Sequence, residues 1–214
     1  MDGVQKSLAD LGYTDVGLDD NWQACGTGEN GTQFHDTAGN PLVNKSLFPD
    51  FKEMTDHGHS LGLSVGWYGN NCICHETSTD QEKFYAGDVN ALVQYGFDGI
   101  KLDGCGAQLD LELYYNLINA TGRPVTIENC HWGNQGKLDF QPTLDYCPFN
   151  FYRSSGDVAA TYTSVLRNLA SVTRYAQAGL SRPGCWAYPD MLEVGCEHGI
   201  EISQYYLSIF RSLV

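Results

Sequence analysis

Residues 99–105 read GIKLDGC. The side chains alternate as in a buried strand, and an acid, Asp103, closes the run just before a glycine and a cysteine. Lys101 stands two positions earlier, so on an extended strand its ammonium and the Asp103 carboxylate share one face. In a common pocket the lysine favours the ionised carboxylate and can also donate to a hydroxyl. An ionised, oriented carboxylate is a candidate nucleophile. A second acid, Asp157, follows Arg153 at the end of a later strand-like run. With Asp103 charged, Asp157 is expected to hold its proton more tightly and serve as the acid. Two carboxyls flanking a glycosidic bond at about 5–5.5 Å are the arrangement of retaining glycosidases. The competing reading of a strand-terminal aspartate is a helix cap or turn former. The adjacent pair Asp19–Asp20 fits that reading less well, because neighbouring like charges cost stability unless ligands or cations offset them.

Other polar and aromatic residues gather at the ends of strand-like runs. Asp19 and Asp20 end the first, Tyr68 and Asn70 the second, and Lys101 and Asp103 the third. His131 and Trp132 end the fourth, Arg153 and Asp157 follow the fifth, and Asp190 follows the sixth. Trp22, Trp67, Trp132 and Trp186 fall in the same places, with Trp22 and Trp132 the favoured sugar contacts. Aromatic faces with carboxylates suit a polyhydroxylated ligand, since rings stack on C–H faces and carboxylates accept from hydroxyls. Glu128 and Asp145 are strand acids without an assigned role.

The elements that must position these residues alternate along the chain. Strands are expected at 13–20, 63–69, 97–104, 124–132, 144–154 and around 185–192. Helices are expected at 48–62, from the capping-box pattern Ser78-x-x-Gln81 onward, at 109–122, at 157–179 and at 202–214. A short amphipathic helix carrying Val4, Leu8 and Leu11 opens the chain. This alternation implies a parallel sheet with helical crossovers. Six strands make about six βα units of a (β/α)8 TIM barrel, incomplete for want of the first and last strands. In that fold every strand-end residue named above sits on the C-terminal rim, where active sites are built. An open doubly wound sheet is the rival, but no GxGxxG phosphate turn is present.

With 214 residues, 42% of them hydrophobic, the chain can bury one substantial core. Its net charge of −14 argues against nucleic acid and anionic membrane as partners. No run of 18 apolar residues suits a spanning helix. Eight scattered cysteines favour disulfides and an oxidising compartment. Sequons at Asn30, Asn44 and Asn119 agree with that, so a secreted or lysosomal/vacuolar protein is expected. Residues 1–12 lack the features of a signal peptide, and the natural chain is expected to begin upstream.

Six ordered motifs resemble glycoside hydrolase family 27, the α-galactosidase and α-N-acetylgalactosaminidase group. They are GYTDVGLDDNW, FPDFKEMTDHGHSLGLSVGWY, GFDGIKLDGC, NCHWG, NFYRSSGDV and PGCWAYPDMLEVG. The resemblance implies a retaining α-glycosidase, foremost an α-galactosidase acting on glycoconjugates with a terminal α-galactose and needing no cofactor. Asp103 would be the nucleophile and Asp157 the acid/base. Asp19 and Asp20 would hold the sugar's 4- and 6-hydroxyls, and Tyr68, Lys101, Arg153 and Asp190 would line the pocket with Trp22, His131 and Trp132. Cys105 would pair with Cys74 or Cys72, with Cys74–Cys105 preferred, and Cys130 with Cys147. His131 replaces the family's C-E-W-G glutamate, and Ala187–Tyr188 replaces an N-D pair, so the substituent read at carbon 2 is left open. The family's C-terminal β-domain has no counterpart in residues 1–214. Alternatives are an α-N-acetylgalactosaminidase, a β-L-arabinopyranosidase and a non-catalytic or truncated sugar-binding relative. A metal hydrolase built on His57, His59, Cys72, Cys74 and His75 is a weaker rival, since the cysteines suit disulfides and the histidines a helix C-terminus.

Overall fold

The computed structural model describes residues 7–28, 34–70, 72–76, 81–131 and 142–191. Six strands form one sheet in sequence order: β1 (Asp15–Gly17), β2 (Ser64–Gly69), β3 (Gly99–Asp103), β4 (Thr126–Cys130), β5 (Phe151–Arg153) and β6 (Trp186–Tyr188). Every neighbouring pair is parallel, with Gly17 opposite Gly66, Tyr68 opposite Lys101, Lys101 opposite Glu128, Asp103 opposite Cys130 and Arg153 opposite Tyr188. The crossovers carry helices α1 (Phe51–Ser60), α2 (Glu82–Tyr95), α3 (Leu111–Ala120), α4 (Tyr162–Ser171) and α5 (Thr173–Gln177). The sheet curls into part of a cylinder, an incomplete (β/α)8 barrel as expected.

Alternation along the strands sorts side chains into two faces. Val65, Trp67, Ile100, Leu102, Ile127 and Tyr152 are buried on the convex face. They share one core with Phe51, Leu92, Tyr114, Ile118 and Tyr175 of the helices. Trp67 stacks on Phe97 at 5.3 Å with ring planes 3° apart, and Trp22 packs against Trp67 at 4.8 Å. The other parity (Tyr68, Lys101, Asp103, Glu128, Cys130, Arg153 and Tyr188) lines the concave face, and most of it is polar.

Local chemistry sets the helix ends. Asp50, Asp110 and Thr161 each accept from the backbone N–H three residues on, at 3.0, 2.9 and 3.2 Å, and so cap α1, α3 and α4. The helix expected over 157–179 is two helices. The Ser171 hydroxyl donates to the Asn168 carbonyl at 2.6 Å, and the Val172 N–H falls back on Leu169 at 3.4 Å, which breaks the ladder there. The strand expected over 144–154 shrinks to three residues. Pro148 cannot donate, and the Asn150 side chain takes the Ile127 N–H at 2.8 Å. α2 starts at Glu82 with Gln81 as N-cap; Ser78 of the expected capping box lies outside the described residues. Of the expected N-terminal amphipathic helix, the described residues form one helical turn at Ala9–Leu11, with Leu8 and Leu11 exposed. Val4 and the helix expected over 202–214 lie outside the described residues.

The loop between β1 and α1 is pinned to α2. A Cβ at Gly87 would fall 1.9 Å from the Gly39 carbonyl oxygen, so this contact requires glycine. It brings His35 between Glu76 and Asp88, its Nδ1 3.1 Å from Glu76 Oε2 and its Nε2 3.0 Å from Asp88 Oδ1, all three buried. Tyr114 donates to the other Asp88 oxygen at 2.7 Å. Burial works against an imidazolium, yet the two carboxylates prevail and raise the His35 pKa to about 9.

Candidate active site

Asp103 closes β3 on the concave face and is 7% exposed. Its carbonyl is held by Asn70 Nδ2 at 3.2 Å and lies 3.1 Å from His131 Nε2. A carbonyl can only accept, so that imidazole nitrogen carries the proton. Burial raises the Asp103 pKa above the ordinary carboxylate value, against the opposing pull of Lys101, a Tyr68 hydrogen bond and the Gly104 N–H. Lys101 favours the ionised carboxylate as expected, and desolvation outweighs it. Lys101 Nζ lies 2.6 Å from Asp19 Oδ2 and 5.2 Å from the centre of the Tyr68 ring.

The two neighbouring acids have different settings. Burial opposes the charge on Asp19, but Lys101 and the Asp20 N–H lower its pKa overall. Asp20 accepts from the N–H groups of Cys72 and Ile73 at 2.9 and 2.8 Å, and from Asn21 at 2.8 Å. It therefore fastens the loop after β2 to the end of β1. Tyr68 points at that loop, its hydroxyl 3.3 Å from Cys72 Sγ. Burial and the nearby Asp103 and Asp20 charges push the phenol pKa well above its usual range.

Arg153 ends β5 with its side chain 4% exposed and reaches across the rim. Its Nη2 lies 2.7 Å from Asp157 Oδ1 and 3.2 Å from Asp190 Oδ2, and its Nη1 lies 3.4 Å from Cys130 Sγ. Asp157 is 77% exposed, whereas the Asp190 side chain is 7% exposed and also accepts from the Val158 N–H at 2.8 Å. Asp190 sits at φ +83°, a left-handed turn that aims its carboxylate back over β5. Asp103 and Asp157 thus stand on strand ends two apart in the sheet, linked through Cys130, which pairs with Asp103, and through Arg153.

Of the two partners expected for Cys105 the structure takes Cys72 rather than the preferred Cys74, and Cys130 does not pair with Cys147. Cys25 pairs with Cys74, Cys72 with Cys105, and Cys147 with Cys185, while Cys130 is buried and free. Neither Cys74–Cys105 nor Cys130–Cys147 forms. In a parallel sheet Cys130 ends β4 at the C-terminal rim, whereas Cys147 precedes β5 at the opposite edge, beside Cys185 before β6. Cys72 directly follows β2 and so meets Cys105 directly after β3, leaving Cys74 to reach the Cys25 loop. Cys105 Sγ lies 3.1 Å from Asp103 Oδ1, so the Cys72–Cys105 bridge packs against the carboxylate. Burial first, and then the Asp103 charge, raise the Cys130 pKa to about 12. The rival metal reading loses three of its five ligands: Cys72 and Cys74 are in disulfides, and His59 Nε2 lies 2.7 Å from Asp98 Oδ2.

Trp22 is not on the rim. It is 1% exposed in the core, and its indole N–H donates to the Tyr68 carbonyl at 2.9 Å, so its role is to support β2 from behind. Trp132 lies outside the described residues. Glu128 and Tyr188 were missed. Both face the concave side, and the Tyr188 hydroxyl donates to Glu128 Oε1. The available signal was parity, since Glu128 is two residues before Cys130 and opposite Lys101. A hollow of about 550 Å³ runs below the rim, lined by Asp19, Lys101, Thr126, Glu128, Phe151 and Met191 among others. Asp103 stands one layer above it, at the mouth.

Comparison with known proteins agrees with this geometry. A probable α-galactosidase of Dictyostelium discoideum is 32% identical over 206 residues, covering 90% of this chain and 48% of its own length. A human α-N-acetylgalactosaminidase is 28% identical over 217 residues, covering 94% and 49%. The chain spans about half the length of the curated relatives it matches. Among solved structures, a Saccharomyces cerevisiae α-galactosidase superposes with a TM-score of 0.71 at 23% identity, over 90% of this chain and 47% of that one. A Geobacillus stearothermophilus β-L-arabinopyranosidase gives 0.63 at 16% identity, over 88% and 55%. A family model described as alpha galactosidase A matches residues 2–209. A parallel sheet with Lys101 and Asp103 closing its third strand and Arg153 holding Asp157 thus belongs to the alpha galactosidase A family, within glycoside hydrolase family 27.

Proposed function

We propose that the protein carrying this chain is a retaining α-glycosidase acting on terminal α-galactosides. The observation that carries the reading is Asp103, a buried carboxylate at the end of a barrel strand, with Lys101 and Tyr68 beside it and Asp157 across Arg153. In the first step the Asp103 carboxylate attacks the anomeric carbon, the bond to the leaving oxygen breaks, and Asp157 gives that oxygen its proton. In the second, water attacks the glycosyl-enzyme ester, Asp157 takes the water's proton, and the Asp103 carboxylate departs. Asp19, Asp20, Lys101 and Asp190 supply acceptors and a donor for sugar hydroxyls, and His131 directly follows β4.

The test is hydrolysis of a fluorogenic α-galactoside by the full chain beside the Asp103→Asn variant. Removing a covalent nucleophile lowers kcat by about 10³-fold or more. Turnover that survives the substitution rules the mechanism out.

A second reading, α-N-acetylgalactosaminidase, is favoured by one feature. His131 is directed to the Asp103 backbone at 3.1 Å, and the position of the family's C-E-W-G glutamate therefore holds no carboxylate. Side-by-side turnover of α-galactoside, α-N-acetylgalactosaminide and β-L-arabinopyranoside substrates separates the readings. Three disulfides in the described residues favour an oxidising compartment, and we assign the protein to the secreted or lysosomal route on that ground. Among the described residues no helix is long and apolar enough to cross a membrane.

A further inference from the structure

Glu128 is a carboxylate on the concave face with no part in the mechanism above. It lies opposite Lys101 in the β3–β4 register, two residues below the Asp103–Cys130 layer. Its Oε1 accepts the Tyr188 hydroxyl, and its Oε2 has no hydrogen bond among the described residues. The side chain borders the hollow together with Lys101, Asp19 and the Phe151 ring. Burial raises its pKa, while the Tyr188 hydrogen bond and the Lys101 and Arg153 charges favour the carboxylate. The half-buried carboxylate thus keeps one oxygen open to a donor that enters the hollow.

We propose that Glu128 is a substrate-binding residue that accepts a hydrogen bond from a sugar hydroxyl on the side of the ring opposite the anomeric carbon. The inference rests on the glycosidase reading and deepens it. Two strand residues place Glu128 about 6–7 Å deeper than Asp103 along the barrel axis. With the further offset between neighbouring strands, a pyranose ring fits between the two carboxylates, its anomeric carbon at one and its far hydroxyls at the other. With Asp103 at carbon 1, the open Oε2 faces the far hydroxyls, next to the Lys101 ammonium and Asp19. Tyr188 fixes one carboxylate oxygen so that the other keeps a single aim. The Phe151 ring supplies an apolar wall for the sugar's C–H face. Three carboxylates around the hollow and its mouth (Asp19, Asp103 and Glu128) select a neutral sugar over a uronic acid.

The experiment compares the full chain with its Glu128→Gln and Tyr188→Phe variants on p-nitrophenyl α-galactoside and on its 4-deoxy and 6-deoxy analogues. In Glu128→Gln the amide oxygen still accepts from Tyr188, so the fold and that hydrogen bond persist. The expected result is a fall in kcat/KM of about 10- to 100-fold for Glu128→Gln on the parent substrate, the worth of a charged hydrogen bond to substrate. On the analogue lacking the contacted hydroxyl the fall shrinks to below about threefold, as the lost partner on one side cancels that on the other. Tyr188→Phe shows the same pattern with a smaller loss, and it carries the test if Glu128→Gln does not fold. Equal losses on the parent and both analogues overturn the proposal and make Glu128 a support for Lys101 alone. If the unaltered chain hydrolyses no α-galactoside, the glycosidase reading fails separately. Calorimetric binding of D-galactose, 4-deoxygalactose and 6-deoxygalactose then reads the same pattern in affinity, and its absence overturns the inference.

Discussion

A single carboxylate carries the most chemical information in this chain. Asp103 sits where burial and a cation compete, and burial wins. A nucleophile must be ionised, so kcat/KM should fall as pH drops through its native pKa, with the acid limb above the ordinary aspartate value of 3.8. Lys101→Met removes an opposing cation and should move that limb higher still. An acid limb at or below 3.8, or one indifferent to Lys101→Met, contradicts the assignment. The same shift has a stability sign. A raised pKa means that the native state binds the proton more tightly than the unfolded chain, so stability falls as pH rises from 3.8 through the raised value. Asp103→Asn should therefore melt at a higher temperature than the unaltered chain at about pH 7 and at the same temperature below pH 3.8. At this scale the strand motif revealed which acid and which lysine share a face, because parity is a local property. It could not reveal that Lys101 is committed to Asp19, a contact between residues 82 positions apart.

At the scale of elements, the buried His35–Glu76–Asp88 cluster joins the β1–α1 loop, the loop after β2 and helix α2. Tyr114 adds a hydrogen bond to Asp88 from α3, and Phe34 and Phe84 pack against the imidazole at 4.2 and 5.1 Å. His35 has a raised pKa of about 9 against an ordinary 6.5. Its contribution is complete below pH 6.5 and is lost as pH rises through about 9. The loss is on the order of 3 kcal/mol by linkage. Urea midpoints taken from about pH 6 to pH 10 should fall across that window in the unaltered chain and stay nearly level in His35→Gln, which begins from a lower midpoint. Parallel curves would remove the imidazolium from the account. The strand order and the alternating faces were legible in the sequence, since each depends on residues a few positions apart, whereas the caps Asp50, Asp110 and Thr161 were not picked out. The break at Ser171 begins with a local bond to the Asn168 carbonyl, and Pro148 is a local limit on β5, but the Ser154 and Ile127 contacts that accompany them are long-range and no local pattern announces them.

For the whole molecule, the −14 net charge and the three disulfides among the described residues describe an acidic protein cross-linked at both ends of its sheet. The Cys72–Cys105 bridge closes the loops after β2 and β3 on each other, and Cys147–Cys185 ties the approaches to β5 and β6. If the protein follows the secretory route, exposed sequons should carry glycans. Asn119 lies exposed at the end of α3, whereas the Asn44 amide oxygen already accepts from Ser46 at 2.6 Å. Expressed through a eukaryotic secretory pathway, the protein should lose mass on treatment with an N-glycosidase, and Asn119→Gln should remove at least one glycan of about 2 kDa; an unmodified Asn119 peptide by mass spectrometry would count against the assignment.

By itself the sequence determined the order of strands and helices, the parallel sheet, and the two acids placed at strand ends, because hydrophobic period, capping residues and motif spacing act over short stretches of chain. Only the tertiary structure decided which cysteines meet, since the choice between Cys72 and Cys74 turns on which one leaves β2 at the rim. It also moved Trp22 from the expected sugar contact into the core, where an indole N–H could find the Tyr68 carbonyl. It brought Glu128 and Tyr188 together as well, 60 residues apart in sequence. Desolvation and long-range pairing belong to the folded space between strands, and no window of sequence contains that space.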